Sequence, residues 1–393
     1  RFFESRCHHS SPSPSDARSS FLKDRRSFWL ARATMWVWVL LGVFQACTGF
    51  AVAPKRFRAT LRSDAASVRV PPAASAAAPS DTLGDQVLTL WRFTRPHTFI
   101  GTALCVPALH LLAADSLGAV LTQQWARSVA VALIPALFMN VFITGLNQLF
   151  DVEIDRINKP ELPVASGKLS WAGGATACAV SLALGLTLGE FLPGTSDALK
   201  VALYGSAALG AAYSVPPLRL KRSPLLAAVC IVAVRGTLVN ACFYRHAVAS
   251  AFATGARSYA EARLNWVVAF FGAFGIAIAL MKDVPDVEGD ARNEIKTLST
   301  ALGQQKVFDV AAALVTTVLA VASAAFFGGA FVADQRRRAV CRGAVALALG
   351  ALVRDSRTST SQVDATSQPE VKAAYMRLWR IFYSCYVLLP FAR

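Results

Sequence analysis

The chain has 393 residues, of which 54% are hydrophobic and only 16% are charged, a balance outside the range of ordinary soluble domains. The 40 Lys and Arg exceed the 24 Asp and Glu, but they are scattered and form no long basic face interleaved with aromatic residues, which argues against nucleic-acid binding. The 8 Cys contain no C-x-x-C pair, so neither a zinc site nor a disulfide framework is supported. The composition predicts an integral membrane protein.

The N-terminal region has the features of a cleavable targeting sequence. Residues 1–34 precede the first Met and have no apolar period, so we expect them to be upstream sequence outside the native protein. Residues 35–85 begin with a short apolar segment of signal-peptide length, followed by a stretch rich in Arg, Ser and Ala. Phe50 in TGFAVAP resembles the start of the transit peptide in two-part presequences of algae with secondary plastids. An ordinary signal peptide or a first membrane anchor is the alternative.

Residues 86–393 alternate apolar runs with short polar connections. Nine runs are near the 20 residues that cross a bilayer, and backbone groups in hydrocarbon must be satisfied within each segment. We therefore predict an all-α membrane bundle of about nine transmembrane helices. The predicted spans lie near 97–115, 128–150, 170–193, 197–213, 223–243, 264–282, 307–331, 338–353 and 375–392.

Two acidic motifs close the second and sixth predicted spans. They are GLNQLFDVEIDRINKPELP and MKDVPDVEGDARNEIK. Four spans separate them, so both motifs should emerge on the same side of the membrane, together with the basic loop AYSVPPLRLKRSP. Lys and Arg are more frequent on this side, and the positive-inside bias assigns it to the cytosol, or to the stroma in a plastid.

The spacing within the motifs predicts a metal site. The patterns N-x-x-x-D-x-x-x-D and D-x-x-x-D place their polar side chains on one face if a helix continues through each motif. Carboxylates packed together need cations, and Mg²⁺ prefers oxygen ligands, whereas the His of typical zinc or iron sites are missing from both motifs. The predicted metal ligands are Asn147, Asp151, Asp155, Asp283, Asp286 and Asp290. Of these, Asp151, Asp155, Asp286 and Asp290 are also the predicted catalytic residues.

Nearby cations predict a phosphorylated substrate. Lys159, Arg219 and Lys221 can pair with the oxygens of a diphosphate, and the apolar interior suits a hydrocarbon tail, so a lipid diphosphate is the inferred substrate class. Two prolines before Arg219 should hold the loop extended, which would point Arg219 and Lys221 to one side. Within the fifth span, Arg235 and Asn240 fit interhelical hydrogen bonding and a substrate role equally well.

These motifs together resemble the UbiA-type intramembrane prenyltransferases, from about Trp91 to the C-terminus. The resemblance implies a UbiA-like fold of nine helices around a central cavity. Within that superfamily they look like the homogentisate prenyltransferases of plastids and cyanobacteria. The strings that carry the resemblance are RPHTFIGTAL, GLNQLFDVEIDRINKPELPVASGKLS, AYSVPPLRLKR, AVRGTLVN, KDVPDVEGD and YMRLWRIFYSCYVLLPF. The chain departs from the family pattern at Glu294–Lys296, and at Cys385, where family members usually carry Glu.

The resemblance implies a specific reaction. Its expected elements are two Mg²⁺ ions held by the acidic motifs, a prenyl diphosphate donor, and homogentisate as an acceptor that loses CO₂. TGLNQLFD and VASGKLS favour phytyl diphosphate and the tocopherol pathway. The solanesyl-transferring homogentisate enzyme of plastoquinone synthesis is the alternative among enzymes. A secondary membrane transporter is the alternative of another class, but its site should lie near the membrane midplane rather than at helix ends.

Overall fold

The computed structural model describes residues 82–391 except 115–117, 119, 121, 253–256, 294 and 334, so the predicted targeting segments lie largely outside the described residues. All regular elements within these ranges are helical. In chain order they are α1 Leu83–Phe93, α2 Pro96–Ala113, α3 Gln123–Phe150, α4 Val152–Asn158, α5 Trp171–Phe191, α6 Asp197–Ser214, α7 Pro224–Ala251, α8 Arg257–Lys282, α9 Val287–Arg292, α10 Leu298–Leu302, α11 Gln304–Phe331, α12 Arg336–Thr360 and α13 Gln368–Leu388.

Hydroxyl side chains fix where several of these helices begin. The side chain of the residue before each helix accepts a hydrogen bond from a first-turn N–H, which would otherwise have no partner. These capping residues are Thr82 of α1, Thr122 of α3, Ser170 of α5 and Ser196 of α6. The polar connections therefore define the helix starts, and the apolar runs that follow form the helices.

Among the described residues, six helices are long and apolar enough to cross a membrane, namely α2, α3, α5, α7, α11 and residues Ala262–Lys282 of α8. The other three predicted spans also fall on helices, α6, α12 and α13, but these carry more polar and charged residues. The prediction of an all-α, multi-pass membrane protein is confirmed. The helices themselves support six spans rather than nine by length and composition.

Helix α3 is the central element. Its most apolar 18 residues are 61% buried, whereas the corresponding residues of α11 are 33% buried. Helix α3 packs along α2, α5, α6 and α7. Helices α11 and α12 instead form a hairpin that packs against α8 and α13. Between α2, α3, α6, α7, α8 and α13 lies a cavity of about 280 Å³, charged at the ends of α3 and α8 and largely apolar beyond.

Helix α7 is interrupted by a π-helix, Val232–Leu238. The Asn240 amide donates to the carbonyls of Arg235 and Gly236 at 2.6 and 3.0 Å, and the Tyr386 hydroxyl donates to Asn240 Oδ1 at 2.9 Å. Asn240 therefore satisfies the irregular backbone of α7 and ties this helix to α13. Of its two alternatives, interhelical hydrogen bonding is the one the structure supports.

The π-helix is also held by close backbone contact with α8. A Cβ at Gly236 would lie 2.7 Å from Gly272 Cα, whereas a Cβ at Gly272 would meet no heavy atom within 4 Å. Only a residue without a side chain fits at Gly236, because the obstacle is backbone that cannot rotate away.

We expect Gly236→Ala to destabilise the protein by about 1–3 kcal/mol, the usual cost of overpacking. Gly272→Ala is the matched control on the facing helix and should have little effect. Thermal unfolding of both variants in detergent measures the difference. Equal stability of the two would contradict the close contact.

Candidate active site

The first acidic motif does not continue α3. The helix ends at Phe150, Asp151 adopts φ −117° and ψ 16°, and α4 starts at Val152. The expected continuous helix through Asn147, Asp151 and Asp155 is therefore wrong. Asp is a poor helix-interior residue, and here its carboxylate is engaged by side chains from another segment. The three residues still lie together, because Asn147 Nδ2 donates to Asp151 Oδ2 at 2.7 Å and all three line the cavity.

The second acidic motif has the same construction. Helix α8 ends at Lys282, and Asp286 immediately precedes α9, where the N–H of Asp290 donates to the Asp286 carbonyl at 3.0 Å. The Asp283 carboxylate accepts a hydrogen bond from Lys282. Asp283, Asp286 and Asp290 all line the cavity that the first motif lines. The two motifs therefore meet at one site, as their placement in the sequence predicted.

Asn158 and Lys159 of the first motif join it to the second. Lys159 Nζ donates to Asp286 Oδ1 at 2.6 Å. Asn158 Nδ2 donates to the Asp286 carbonyl at 2.8 Å, and Asn158 Oδ1 accepts from the Gly289 N–H at 2.8 Å. We call this pair of bonds the Asn158 clasp. A Cβ at Gly289 would lie 2.6 Å from the Asn158 amide, so the clasp needs glycine there.

The basic loop between α6 and α7 reaches the first motif. Arg219 adopts φ 34° and ψ 56°, in the left-handed region, and a 3₁₀ turn follows at Leu220–Arg222. The expected extended loop is therefore wrong, since the chain turns at the prolines, where the Arg219 N–H donates to the Val215 carbonyl at 2.9 Å. Both cations nevertheless contact Asp151 Oδ1, Arg219 through Nη2 at 3.1 Å and Lys221 through Nζ. Lys221 lines the cavity, whereas Arg219 lies behind it and also donates to the Phe150 carbonyl.

Arg95 is a site residue that the sequence interpretation missed. Its Nη2 lies 3.8 Å from Asp155 Oδ2, and its backbone has φ 51°. Polar side chains of α3 hold this turn, because Gln148 Nε2 donates to the Phe93 carbonyl at 2.8 Å and Asn140 Nδ2 to the Thr94 carbonyl at 3.3 Å. The sequence signal that could have revealed this contact was a row of polar side chains on α3, one at every fourth position, which an apolar span does not need.

Burial and crowding shift the carboxyl pKa values in the site. Burial raises the pKa of Asp155 to about 6, even with Arg95 and Lys159 nearby. Burial and the neighbouring Asp286 raise the pKa of Asp290 to about 7. Burial also raises the pKa of Asp151, but the adjacent Lys221 and Arg219 outweigh it and hold the value below its usual range. Such clustered, opposed shifts are typical of functional sites.

The donor chemistry at this site fits Mg²⁺ better than a softer metal. The predicted ligands offer carboxylate oxygens and the amide oxygen of Asn147, which are the atoms that Mg²⁺ prefers. One of these oxygens, Asp155 Oδ2, is buried without a hydrogen-bond partner. In the part of the chain that the structure describes, however, no three His, Cys, Asp or Glu side chains are grouped closely enough to hold a metal ion. Lysine and arginine instead neutralise Asp151, Asp283 and Asp286.

Comparison with known proteins agrees with this geometry. Residues 98–381 match the UbiA prenyltransferase family. The chain belongs to this family. The family resemblance inferred from the motifs is therefore confirmed, and with it the class of enzyme, a membrane prenyltransferase.

Relatives and solved structures extend over most of the chain. A probable homogentisate phytyltransferase 1, chloroplastic, of Oryza sativa subsp. japonica is 39% identical over 305 residues, which are 77% of this chain and 72% of that protein. A homogentisate phytyltransferase of Synechocystis sp. is 39% identical over 315 residues, 78% of this chain and 96% of that protein. A UbiA homologue from Archaeoglobus fulgidus, solved bound to DMAPP and Mg²⁺, shares the fold with a TM-score of 0.54 at 16% identity, covering 77% of this chain and 98% of that one.

The Asn158 clasp yields a test of how the two motifs are positioned. We expect Asn158→Ala to lower prenyl transfer and raise the Mg²⁺ concentration for half-maximal activity, each by roughly 10- to 100-fold, as losing support of ligating carboxylates typically does. Asn293→Ala is the matched control, because Asn293 Nδ2 also bonds to Gly289, at the carbonyl, without joining the motifs. A Mg²⁺ titration that both variants follow like the wild type would contradict the role of the clasp.

Proposed function

We propose that this protein transfers a phytyl chain from phytyl diphosphate to homogentisate, with release of diphosphate and CO₂. The observation that carries the proposal is the two-part cavity of a UbiA-family chain, with a charged pole at the ends of α3 and α8 and an apolar interior behind it. The charged pole suits a diphosphate and the interior suits its hydrocarbon tail. Relatives named homogentisate phytyltransferase support the choice of acceptor and chain.

The diphosphate would be bound by cations that now hold carboxylates. Lys159 and Lys221 line the cavity and pair with Asp286 and Asp151. Both lysines are largely shielded from solvent, with side chains 24% and 8% exposed, so their hydrogen bonds to an anion would be only weakly screened. Arg95 is placed to complete this set from the side of Asp155. Arg219, which lies behind the cavity, would act through Asp151 instead.

Mg²⁺ would be held by the predicted ligands Asn147, Asp151, Asp155, Asp283, Asp286 and Asp290. When bound, it would neutralise charge on the diphosphate oxygens as the C1–O bond breaks. The carboxylates would then need no lysine partner, which would leave Lys159 and Lys221 for the diphosphate. The raised pKa values of Asp155 and Asp290 favour this exchange, because a divalent ion stabilises the charged carboxylates that burial and, after it, repulsion between the carboxylates destabilise.

The cavity walls supply the remaining requirement of the reaction. Breaking the C1–O bond leaves an allylic cation, or a loose state approaching it, which the electron-rich acceptor ring attacks. Formation of the ring–C1 bond is followed by loss of the ring proton. The acceptor carboxylate leaves as CO₂, and the carbon that carried it takes up a proton. Apolar residues such as Met139, Ile143 and Val234 line the interior and exclude the water that would quench the cation.

The relatives named chloroplastic support a plastid membrane as the location. The excess of Lys and Arg on the connections at the charged pole favours a stromal position for this pole. The two clusters of carboxylates lie at the ends of α3 and α8 rather than at interrupted helices near the midplane, which favours an enzyme over a secondary transporter.

Wild-type protein in membranes should convert homogentisate with phytyl diphosphate in the presence of Mg²⁺ and lose activity with EDTA. Geranylgeranyl and solanesyl diphosphates, assayed in parallel, should give lower kcat/KM than phytyl diphosphate. Faster transfer of solanesyl would replace the phytyl assignment with the plastoquinone branch.

Asp151→Asn and Asp286→Asn test the acidic motifs in the same assay. Each should lower kcat by roughly 10²-fold or more, because each removes a carboxylate ligand of the Mg²⁺ that would offset the negative charge developing on the leaving group. Glu153→Gln is the control, since Glu153 lies on α4 but forms an exposed ion pair with Arg156. Near-normal activity of either Asp variant in folded protein would remove that motif from the site.

The basic loop gives a graded prediction. Lys221→Ala should raise the KM for the prenyl diphosphate by roughly 10-fold or more, as expected for a lost hydrogen bond to a charged group. Arg219→Ala should have a smaller effect, and Arg222→Ala, which removes an exposed cation of the same loop, should have none. Measurement in detergent without anionic lipid separates diphosphate binding from lipid contacts. Unchanged donor kinetics in the Lys221→Ala, Arg219→Ala double variant would mark both residues as membrane anchors.

A further inference from the structure

Arg235 is a cation inside the bundle that the proposed donor site does not use. It lines the cavity from the π-helix of α7. Its Cα lies 11 residues beyond Pro224, or roughly 16 Å along the helix at 1.5 Å per residue, so its backbone lies deeper in the bundle than the basic loop that precedes α7. Charged residues within membrane spans are rare and are functional by default.

The guanidinium of Arg235 has no carboxylate partner among the described residues. Its Cζ lies 4.8 Å from the centre of the Trp379 ring, which supports the cation from one face. The titratable groups around it include the hydroxyls of Tyr375, Tyr383 and Tyr386, the thiol of Cys105 and the imidazole of His97. A buried cation among neutral groups is costly, and an anionic ligand entering the cavity would offset that cost.

The structure around Arg235 fixes the position of its backbone. The Asn240 amide satisfies the Arg235 carbonyl, and the contact between Gly236 and Gly272 locks the π-helix against α8. π-Helical segments of this kind occur frequently at functional sites, where they redirect a side chain. Arg235 is therefore presented to the cavity by a rigid element, which is what a binding residue requires.

The identity of an anion that could bind Arg235 can be inferred from the positions of the other charged groups in the cavity. The diphosphate has its own cations at the charged pole, Lys159 and Lys221, and the hydrocarbon tail carries no charge. The remaining anion of the proposed reaction is the carboxylate of the aromatic acceptor. We propose that Arg235 binds this carboxylate and so selects an aromatic acid over an uncharged aromatic acceptor, an inference that rests on the proposed function.

The lining of the cavity near Arg235 suits such a ligand. Phe243, Phe382 and Tyr386 line the same interior and offer ring faces and edges to an aromatic acceptor. A guanidinium can bind a carboxylate through two parallel hydrogen bonds, which fixes the orientation as well as the position of the ring. The ring would then lie between Arg235 and the charged pole, where C1 of the donor is held.

The test compares acid and neutral ligands of the acceptor site in steady-state kinetics. Homogentisate is the acceptor, and its methyl ester, which cannot lose CO₂, is added as a competing ligand. Wild type, Arg235→Gln, Arg235→Lys and Arg342→Gln are compared at saturating Mg²⁺, with homogentisate and phytyl diphosphate varied in turn. Arg342 is the matched control, a helix arginine of α12 that donates to the Gly329 carbonyl at 2.8 Å and does not line the cavity.

We expect Arg235→Gln to raise the KM for homogentisate by roughly 30-fold or more, as when one partner of a buried charge pair is removed. The inhibition constant of the ester and the KM for phytyl diphosphate should stay near the wild-type values. Arg235→Lys should restore part of the loss, because it keeps the charge without the fork. Arg342→Gln should behave as wild type.

Each other outcome overturns the proposal. A rise in the KM for phytyl diphosphate, with that for homogentisate unchanged, would assign Arg235 to the donor. If the variants fail to fold, competition in the wild type decides, because an ester that binds as tightly as the acid contradicts a carboxylate site. Wild type that transfers no prenyl chain to homogentisate would overturn the proposed function itself, whereas normal wild-type turnover with unchanged acceptor kinetics in Arg235→Gln overturns only the role of Arg235.

Discussion

The site depends on the neutralisation of carboxylates that the fold buries at one end of a membrane bundle. Asp151 and Asp286 are 7% and 8% exposed, and each is paired with a cation from a distant segment, Lys221 for Asp151 and Lys159 for Asp286. A buried carboxylate that loses its partner costs several kcal/mol, so these pairs bring the ends of α3, α6 and α8 to the same place. The Asn158 clasp adds the directional bonds that point charges alone do not provide.

The same ion pairs suit the proposed exchange of partners, in which Mg²⁺ binds the carboxylates and the diphosphate binds the lysines. The carboxylates and cations that meet at this pole are balanced in number, with Asp151, Asp155, Asp283, Asp286 and Asp290 facing Arg95, Lys159, Arg219, Lys221 and Lys282. A diphosphate that arrives with a divalent cation brings charge of both signs. The pole can therefore take up the ligand pair without a large change in its net charge, which lowers the electrostatic cost of binding in a poorly solvated site.

The interior of the bundle has a largely apolar surface, suited to a hydrocarbon chain, and a few polar groups with separate roles. Apolar side chains of α3, α6 and α7 surround the space for a hydrocarbon chain, while the polar exceptions are few and each is supported. Asn240 satisfies the backbone of the π-helix and Tyr386, whereas Arg235 contacts Trp379 and otherwise faces the cavity. A fold that tolerates one cation among aromatic rings has a place for a ligand that is both aromatic and anionic.

Composition and periodicity determined the membrane class, the positions of the long helices and the meeting of the two acidic motifs, because apolar length and the number of crossings follow directly from the order of residues. The motifs likewise identified the family and nearly all the charged residues of the site. Only the tertiary structure decided that α3 breaks at Asp151, that the loop with Arg219 turns, that Asn158 and Arg95 belong to the site, and that Asn240 and Arg235 have different roles. Each of these depends on a contact between segments far apart in the chain, such as Asn158 with Gly289 or Arg95 with Asp155, and local sequence carries no record of which distant group will lie within hydrogen-bonding distance.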